Sequence, residues 1–426
     1  MSCGRKHGNG LYSGEDLRLL IAYDHHFLRA ADGAVYVGHP MAVPGYRAWK
    51  PYLTVFESVV VLARVRRLAS LEAPTSARAD GPGVQFHDVP DYLGPWEYAQ
   101  RFWSVRAAVR QGVGQADAHI LKVPGVLAQR ARNSLAARGR PYAVEVIADP
   151  WDMYAPGAVP SVVRPWVRWR WTQALRVICH EADAVSYVTR EALQRRYPPG
   201  PKTWSTFVSD VDLQSVAIAP DELIQCRIRN WNESLRGDPA RRIKVGFVGA
   251  LGQLYKAPDV LLRAAAVCLT KGLRLEVLVV GDGKYRGSLE NLAKELGIEP
   301  NVRFLGSLPP GAAIQSFLDS LDLFVLPSRQ EGLPRALVEA MARGCPCLGS
   351  TVGGIPELLA DEDLVRPDDV AGLAVKFEEA LANPARLERM ARRNHTRAAE
   401  YRPEVLNQRR DTFLRKVREQ ALGRRS

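Results

Sequence analysis

Short apolar runs alternate along the first half of the chain with longer stretches in which apolar residues recur every three or four positions. The apolar runs lie at 17–23, 58–63, 119–123, 143–147 and 182–189. The amphipathic stretches predict helices at 45–56, 95–111, 126–138 and 161–180. Apolar runs of this length, separated by helices, are typical of strands buried in a parallel sheet. The pattern therefore predicts a doubly wound α/β domain.

The second half of the chain repeats the alternation more regularly. Strands are predicted at 243–248, 275–280, 302–305 and 323–326, and helices at 258–269, 285–296, 312–321, 370–382, 384–400 and 403–420. Two Rossmann-like domains of doubly wound parallel sheet are therefore expected. We place the N-terminal domain at 17–213 and the C-terminal domain at 242–400, after a flexible segment at 1–16 and with a polar, irregular linker at 214–241.

Composition narrows the class of protein. A chain of 426 residues with 46% hydrophobic residues suits two globular domains. The formal net charge of +12 indicates an anionic partner, which can be nucleic acid, an anionic membrane surface or a phosphorylated substrate. Nucleic acid ranks low, because no nucleic-acid-binding motif is present. No apolar run is long enough to span a membrane, no export signal is recognised and the six cysteines lack metal-ligand spacing, so we expect a cytoplasmic protein with free thiols.

The stretch at 326–347 carries the most informative chemistry. A predicted strand enters a polar loop with Glu331, and a helix then opens with Pro334 near its first position and Glu339 inside it. Eight helical residues would separate the carboxylates by about 12 Å, which is about the distance from the sugar to the ribose in a nucleotide-diphosphate sugar. The unpaired N–H groups of the helix start would lie between them and could hold a diphosphate. The alternative is a solvated loop glutamate and an exposed helix glutamate, and spacing alone favours that alternative.

The segment from Glu331 to Ala340 resembles the Glu-x7-Glu signature of the family-4 retaining glycosyltransferases, which have the GT-B fold. Further landmarks resembling that family follow in its order, namely Val248-Gly249 with Lys256, Val280–Gly283, Val302–Gly306 and Val352–Glu357. The resemblance implies two Rossmann-like domains facing across a cleft, with a C-terminal helix at 401–426 crossing back to the first domain. It also implies transfer of a hexose-like sugar from a nucleotide diphosphate with retention of configuration. The sequences of three short segments, 187–189, 196–198 and 331–342, resemble those of bacterial enzymes of surface-polysaccharide assembly.

The resemblance also assigns roles within the donor site. Lys256 would neutralise the diphosphate, Glu331 would contact hydroxyls of the donor sugar, and Glu339 would accept the ribose hydroxyls. The implied donor site consists of Gly249, Lys256, Val302, Phe304, Glu331, Gly332, Leu333, Pro334, Arg335 and Glu339. Neither a metal ion nor a cofactor is expected, because Lys256 and the helix terminus can carry out the electrostatic work of an ion.

Two positions depart from the family pattern. Many members place a histidine facing the reaction centre where this chain has Asp149, so Asp149 or Asp152 is the candidate group there. The alternative is that Asp149-Pro150 simply begins a loop. Members often pair the phosphate lysine with an arginine, but this chain has Ala250 at that position, and Arg335 is the candidate replacement.

The acceptor side is less defined. His25 and His26 follow the first predicted strand, in a loop at the carboxyl end of the sheet, where they are either acceptor contacts or ordinary loop histidines. Together with Asp152, they are the candidates on the acceptor side.

The predicted helix at 161–180 interleaves four arginines with three tryptophans. That pattern suits a helix on the anionic inner face of a membrane. The alternative is an ordinary domain helix with its tryptophans in the core.

The expected partners are a nucleotide-sugar donor and a glycan or lipid-linked acceptor. Two other functions are compatible with the same sequence. A sugar-nucleotide epimerase on this fold would release a changed donor without an acceptor, and an inactive binding or scaffold protein would retain only the fold.

Overall fold

The computed structural model describes residues 16–38, 45–68, 77–154, 162–209, 211, 213, 218–237 and 241–423. The strands of the first half are β1 Arg18–Arg29, β2 Val35–Val37, β3 Ser58–Arg67, β4 Val84–Pro90, β5 Ala118–Val123, β6 Ala143–Val146, β7 Ala184–Tyr187 and β8 Trp204–Phe207. The helices of this part are α1 Gly94–Gln100, α2 Phe102–Val113, α3 Val126–Ala136, α4 Pro150–Met153, α5 Arg164–Glu181, α6 Ala192–Arg196 and α7 Asp221–Gly237. The segment predicted to be flexible, 1–16, lies outside the described residues except at its last position.

The first sheet has the strand order β4-β3-β1-β5-β6-β7-β8, and β2 is antiparallel to β1. β1 pairs in parallel with β3 and β5. The prediction that His25 and His26 lie in a loop is wrong, because β1 continues through them to Arg29 after a register shift between Ala22 and His26. β2 and the end of β3 both pair with this extension, which explains why the strand does not end at Tyr23.

The predicted helix at 45–56 is also wrong. Two short 3-10 helices occupy this stretch, Tyr46–Trp49 and Tyr52–Thr54. Pro51 lies between them, and its missing N–H prevents a continuous helical hydrogen-bond pattern.

The second sheet consists of β9 Ile243–Val248, β10 Leu275–Val280, β11 Val302–Gly306, β12 Leu323–Leu326, β13 Cys347–Ser350 and β14 Leu364–Val365. Its helices are α8 Pro258–Thr270, α9 Arg286–Glu295, α10 Ala312–Asp319, α11 Arg335–Ala342, α12 Ile355–Leu358, α13 Val370–Leu381, α14 Pro384–Ala398 and α15 Pro403–Leu422. The strand order is β11-β10-β9-β12-β13-β14, and neighbouring strands are parallel. This is the doubly wound order of a Rossmann fold, in which the chain reverses direction across the sheet between β9 and β12. The predicted pair of parallel-sheet α/β domains is confirmed.

The stretch predicted to be an irregular linker holds α7. Ile224, Ile228 and Trp231 recur at helical spacing and are buried in the core of the second sheet. Polar residues between them hid this periodicity. Arg227 is also buried there, and its guanidinium donates to the carbonyls of Leu318 and Leu321.

Contacts within the chain define two compact units. The first contains Met1–Glu145, Ala182–Ala184 and Asp411–Ser426, and the second contains Val146–Glu181 and Val185–Arg410. Cys179, Cys226, Cys268, Cys345 and Cys347 are free thiols, as predicted, and Cys3 lies outside the described residues. Among the described residues, no helix combines the length and apolar content that crossing a bilayer requires.

Candidate functional site

Two loops converge where the second sheet reverses direction. One follows β9 and carries Lys256, and the other follows β12 and carries Glu331. β9 and β12 are hydrogen-bonded neighbours, so their carboxyl ends lie side by side. In open α/β sheets this position is where ligands bind.

Lys256 and Glu331 form an ion pair between these loops. The Lys256 ammonium donates to Glu331 Oε1 at 2.7 Å, and the Ser328 hydroxyl donates to the same oxygen at 3.0 Å. The two side chains are only 14% and 8% exposed, respectively. Partial burial and two donors hold the Glu331 carboxylate in one orientation.

Glycines allow the backbone of both loops to approach closely. A Cβ at Gly249 would lie 2.4 Å from Lys256 Cδ, so the lysine side chain runs directly over this glycine. A Cβ at Gly353 would lie 1.9 Å from the carbonyl oxygen of Glu331, and Gly353 has a φ of +52°. The neighbouring Gly354 N–H donates to the Gly332 carbonyl at 2.6 Å. The loop with Glu331 is therefore fixed against the segment at 353–354.

A cavity of about 410 Å³ opens beside this ion pair, within the second compact unit. Its lining consists of Asp149, Arg176, Thr189, Ala192, Leu193, Arg195, Arg196, Glu331, Gly332, Thr351 and Gly353. The lining combines carboxylates, guanidinium groups and hydroxyls, which are the groups that recognise sugars and phosphates. Asp149 and Glu331, predicted separately, thus line one cavity.

Asp149 is the N-cap of α4, and its carboxylate is buried and fully engaged. Its Oδ1 accepts from the Trp151 N–H at 2.8 Å and from the Tyr197 hydroxyl, and its Oδ2 accepts from Arg196. Burial and the Asp149 carboxylate raise the pKa of Tyr197, which keeps that hydroxyl protonated as a donor. The alternative, in which Asp149 only begins a loop, does not account for its ion pair with Arg196 or for its position in the lining of the cavity.

Asp152 lies beside this cluster, 3.4 Å from Arg196. Burial and the neighbouring charge of Asp149 raise the pKa of Asp152 to about 6, against the opposing effect of Arg196 and Arg168. The two aspartates and one close guanidinium form a site in which negative charge is only partly compensated.

The arginines of α6 were not predicted as site residues. Arg195 and Arg196 line the cavity, and the Glu357 carboxylate accepts from three backbone N–H groups at the start of α6, those of Arg190, Glu191 and Ala192. The sequence signal was a basic pair shortly after a predicted strand, which is too common to indicate a site.

The remaining predicted donor residues lie in several places. α11 begins only at Arg335, so the segment from Glu331 to Pro334 is not helical and the estimate based on eight helical residues does not apply. Leu333 and Pro334 are buried, Arg335 is exposed, and Glu339 is half-buried on α11. The exposed position of Arg335 gives no support to a phosphate contact.

Val302 and Phe304 line a different cavity, of about 250 Å³, on the outer strand β11. Its other lining residues are Arg286, Glu290, Ala293, Lys294 and Glu299. The structure therefore does not place these two side chains in the cavity of Glu331.

The predicted acceptor histidines lie on β1, in the first compact unit. His26 Nδ1 is 2.6 Å from an Asp91 oxygen, and the His25 ring stacks on Tyr23 with a centroid distance of 5.5 Å. Both rings thus have structural contacts of their own.

The tryptophans of α5 are largely on the surface. Trp166 and Trp169 are 63% and 55% exposed, so the alternative that places them in the core is wrong. The Arg168 guanidinium lies 3.7 Å from the Trp151 ring centroid and donates to the Trp151 carbonyl at 2.6 Å. Indoles and arginines therefore share one exposed surface at α4 and α5.

Comparisons with known structures define the class. The fold is similar to sucrose-phosphate synthase from Thermosynechococcus elongatus, with a TM-score of 0.65 and 16% identity over 95% of this chain and 99% of that one. It is also similar to HepE from Anabaena in complex with UDP-glucose, with a TM-score of 0.60 and 18% identity over 94% and 99%. The protein has the GT-B fold, with two Rossmann-like domains.

Comparisons with sequences show what the C-terminal half resembles. Residues 235–397 match the model for the glycosyl transferases group 1, and the chain is 26% identical to the protein CapJ of Staphylococcus aureus over 84% of each sequence. Further curated relatives are described as D-inositol 3-phosphate glycosyltransferases, and the first three of these alignments cover 31%, 36% and 47% of those proteins. The C-terminal part of the chain, residues 235–397, is therefore similar to the group 1 glycosyltransferases.

Proposed function

We propose that the protein is a retaining glycosyltransferase that moves a hexose-like sugar from a nucleotide diphosphate to a glycan or lipid-linked acceptor in surface-polysaccharide or glycolipid biosynthesis. The supporting observation is the ion pair of Lys256 and Glu331 beside a cavity lined by arginines. The ion pair lies where the second sheet reverses direction, as expected of a ligand site.

Lys256 supplies the cation for the leaving diphosphate. When the donor enters, its phosphates compete for the ammonium that now binds Glu331, and the freed carboxylate oxygen accepts from hydroxyls of the donor sugar. Backbone N–H groups in the first turn of α11 add positive potential, and Pro334 provides no side-chain cap for them. Donors fixed before the reaction stabilise the growing charge efficiently. Glu339 on α11 is assigned to the ribose hydroxyls.

Many family members have a second phosphate-binding arginine at the position of Ala250. In this chain Arg196 supplies that positive charge. It lines the same cavity as Glu331 and is held by Asp149 and Asp152. Since the Asp149 carboxylate already binds a guanidinium, a hydroxyl and a backbone N–H, its role is to orient Arg196 and the acceptor rather than to attack the sugar. No metal ion takes part, because Lys256 and Arg196 neutralise the diphosphate.

The donor is assigned by likeness. HepE is described in complex with UDP-glucose, and this chain shares its fold. A uridine-diphosphate hexose is therefore the first donor to test, followed by guanosine-diphosphate sugars.

The test is an assay of radiolabelled UDP and GDP sugars, in which the purified protein should release the nucleotide diphosphate and transfer the label to an acceptor. Nuclear magnetic resonance of the product should show the same anomeric configuration as the donor. Release of an altered sugar nucleotide without acceptor would indicate the epimerase. Absence of both binding and turnover would leave only a scaffold and would refute the proposal.

The exposed surface of α4 and α5 is assigned to the anionic inner face of a membrane, on which the protein acts peripherally. Val163, Trp166 and Trp169 are all more than half exposed. Arg164, Arg168, Arg170 and Arg176 lie on the same helix, on which the one acidic residue is the last, Glu181. Indoles at headgroup depth together with arginines bind anionic lipid.

A further inference from the structure

Arg329 connects the two loops that carry Lys256 and Glu331. It lies two residues before Glu331, in the loop that follows β12. Its backbone N–H donates to the Tyr255 carbonyl at 2.7 Å, and its guanidinium donates to the Leu254 carbonyl at 2.8 Å. The two residues that precede Lys256 are therefore both bound by this one arginine.

The same guanidinium binds two carboxylates. It forms a bidentate pair with Asp259, in the first turn of α8, at 2.9 and 2.7 Å. Its Nε donates to Asp368, in the segment between β14 and α13, at 2.7 Å. A bidentate pair fixes the direction of a guanidinium as well as adding binding energy. We call these contacts of Arg329 with the four residues the Arg329 clamp.

The residue after Lys256 has a left-handed backbone. Ala257 has a φ of +52° and is fully buried, and its N–H donates to the Leu254 carbonyl at 3.0 Å. This conformation is unfavourable for alanine and persists only where neighbouring contacts enforce it. The Leu254 carbonyl that closes the turn is also the one that the Arg329 guanidinium binds. The Arg329 clamp therefore supports the strained turn that presents Lys256.

The guanidinium of Arg329 is committed to these contacts. They occupy its Nε and both of its terminal nitrogens. Among the described residues that line the cavity of Glu331, Arg329 is absent. Its contacts therefore hold the two loops together, and it acts on the donor site through Lys256 rather than by touching the donor.

We propose that Arg329 is a positioning residue that fixes Lys256 for the diphosphate of the donor. The Arg329 clamp keeps the loop of Lys256 in place when the phosphates take the ammonium from the Glu331 carboxylate. Charges fixed before the reaction stabilise a leaving group without the cost of reorganisation, and a displacement of about 1 Å can lower a rate by about 100-fold. The inference rests on the proposed function and adds to its donor site a residue outside the cavity lining.

The first test examines the Arg329 clamp without any ligand, by hydrogen exchange of backbone amides in the full-length protein. Exchange at 254–260 should be at least about ten times faster in Arg329→Lys than in the unmodified protein, because lysine keeps the charge but cannot form the bidentate pair. Arg343→Lys is the matched control. Arg343 forms an equivalent bidentate pair with Asp319, both distances being 2.7 Å, between the ends of α11 and α10. Its replacement should leave exchange at 254–260 unchanged.

The second test asks whether the effect of Arg329 passes through Lys256. UDP and GDP are titrated by isothermal calorimetry, and the nucleotide that binds more tightly is used for the variants. Arg329→Lys should weaken its binding by about ten-fold. In the Lys256→Ala background, the same replacement should change binding by less than about two-fold, because the cation that it positions is already removed. A residue that only stabilises the fold would have the same effect in both backgrounds.

Unchanged exchange in Arg329→Lys, or equally fast exchange in Arg343→Lys, would overturn the Arg329 clamp. Equal losses of nucleotide binding in the presence and absence of Lys256 would overturn the positioning role. Nucleotide binding that Arg329→Lys does not weaken would also overturn that role, but it would leave the proposed function standing. If the unmodified protein binds neither UDP nor GDP, the proposed function fails. Faster exchange in Arg329→Lys would then support the clamp and remove its role in transfer.

Discussion

The Lys256 ammonium and the Glu331 carboxylate, 75 positions apart in the sequence, lie 2.7 Å from each other beside the cavity that Glu331 lines. Each residue follows a different strand, and the pair exists because those strands are neighbours where the sheet order reverses. The same pair explains how a charged site remains stable before the donor arrives, because each buried group compensates the other.

Replacement of either partner should abolish most of the transfer activity. Lys256→Ala removes the cation proposed for the diphosphate. Glu331→Gln removes the charge that orients the lysine and leaves only a weaker, neutral acceptor for the sugar hydroxyls. We expect each to lower kcat by about 100- to 1000-fold in an assay of nucleotide release. Lys271→Ala, which breaks the exposed ion pair of Lys271 with Glu378, is the control and should leave kcat unchanged. A Lys256→Ala variant with near-normal turnover would contradict the role of this lysine.

Gly353→Ala should damage activity more than its backbone strain alone predicts. The added Cβ would lie 1.9 Å from the Glu331 carbonyl oxygen, so the loop must move. Gly297→Ala is the matched control, since Gly297 also has a positive φ, +69°, but a Cβ there meets no atom within 4 Å. Both variants should lose about 1 kcal/mol of stability from strain. Only Gly353→Ala should also lose sugar-nucleotide binding, and similar binding by the two variants would show that the contact with Glu331 is not important.

The free energy of unfolding should fall as the pH rises, because Asp152 loses its proton in a buried position of the folded protein. Its pKa in the folded protein is raised to about 6 from 3.8, so between these values the folded protein binds more protons than the unfolded chain and stability falls as pH rises. Asp152→Asn should therefore raise the free energy of unfolding by about 1 to 3 kcal/mol at pH 8. The gain should be largely absent near pH 4, where Asp152 is already protonated in the folded state. Denaturant titrations at both pH values test this, and destabilisation at pH 8 would show that attraction to Arg196 dominates.

The double variant Trp166→Ser/Trp169→Ser should reduce capture of the protein by liposomes. Flotation with vesicles containing phosphatidylglycerol should recover the unmodified protein, whereas vesicles of phosphatidylcholine alone should recover less, because the arginines require anionic headgroups. Trp96→Ser/Trp103→Ser is the matched control, as both indoles are about three-quarters exposed, at 75% and 74%, on α1 and α2. If the control variant loses capture instead, the membrane surface lies there and not on α5.

Chelation of divalent ions should leave transfer unaffected. Within the described residues, no group of three or more His, Cys, Asp or Glu side chains has the arrangement of a metal site. Turnover in EDTA should equal turnover in Mg²⁺, because in the proposed mechanism Lys256 and Arg196 neutralise the diphosphate. Loss of activity in EDTA and recovery with Mg²⁺ would contradict this mechanism.

The parts of the fold that the sequence predicted well are those with local periodicity. The strands at 243–248 and 275–280 were predicted at their observed bounds, since each apolar run ends at a polar or glycine residue. The extension of β1 through His25 and His26 was missed because pairing with β2 and β3 overrides a polar composition. α7 was missed because buried Arg227 interrupts the apolar face that Ile224 and Trp231 define.

Only the site residues that lie in recognisable sequence motifs could be predicted. Lys256 and Glu331 follow strands with recognisable neighbours, and the structure brings them together. Arg196 and Glu357 act through contacts between segments far apart in sequence, which no local pattern encodes. The exposure of Trp166 likewise depends on which face of α5 packs against the protein, and its mixed pattern of arginine and tryptophan left that face undetermined.

Glu357 lies one turn beyond the glycines that fix the Glu331 loop, and its carboxylate also holds the amino end of α6, which carries Arg195 and Arg196. One short helix thus braces both the loop of the acid assigned to the donor sugar and the helix that carries Arg196, the cation assigned to the diphosphate. Any shift of that brace would move the sugar contact and the phosphate cation together, so both ends of the donor would be gripped or released as one.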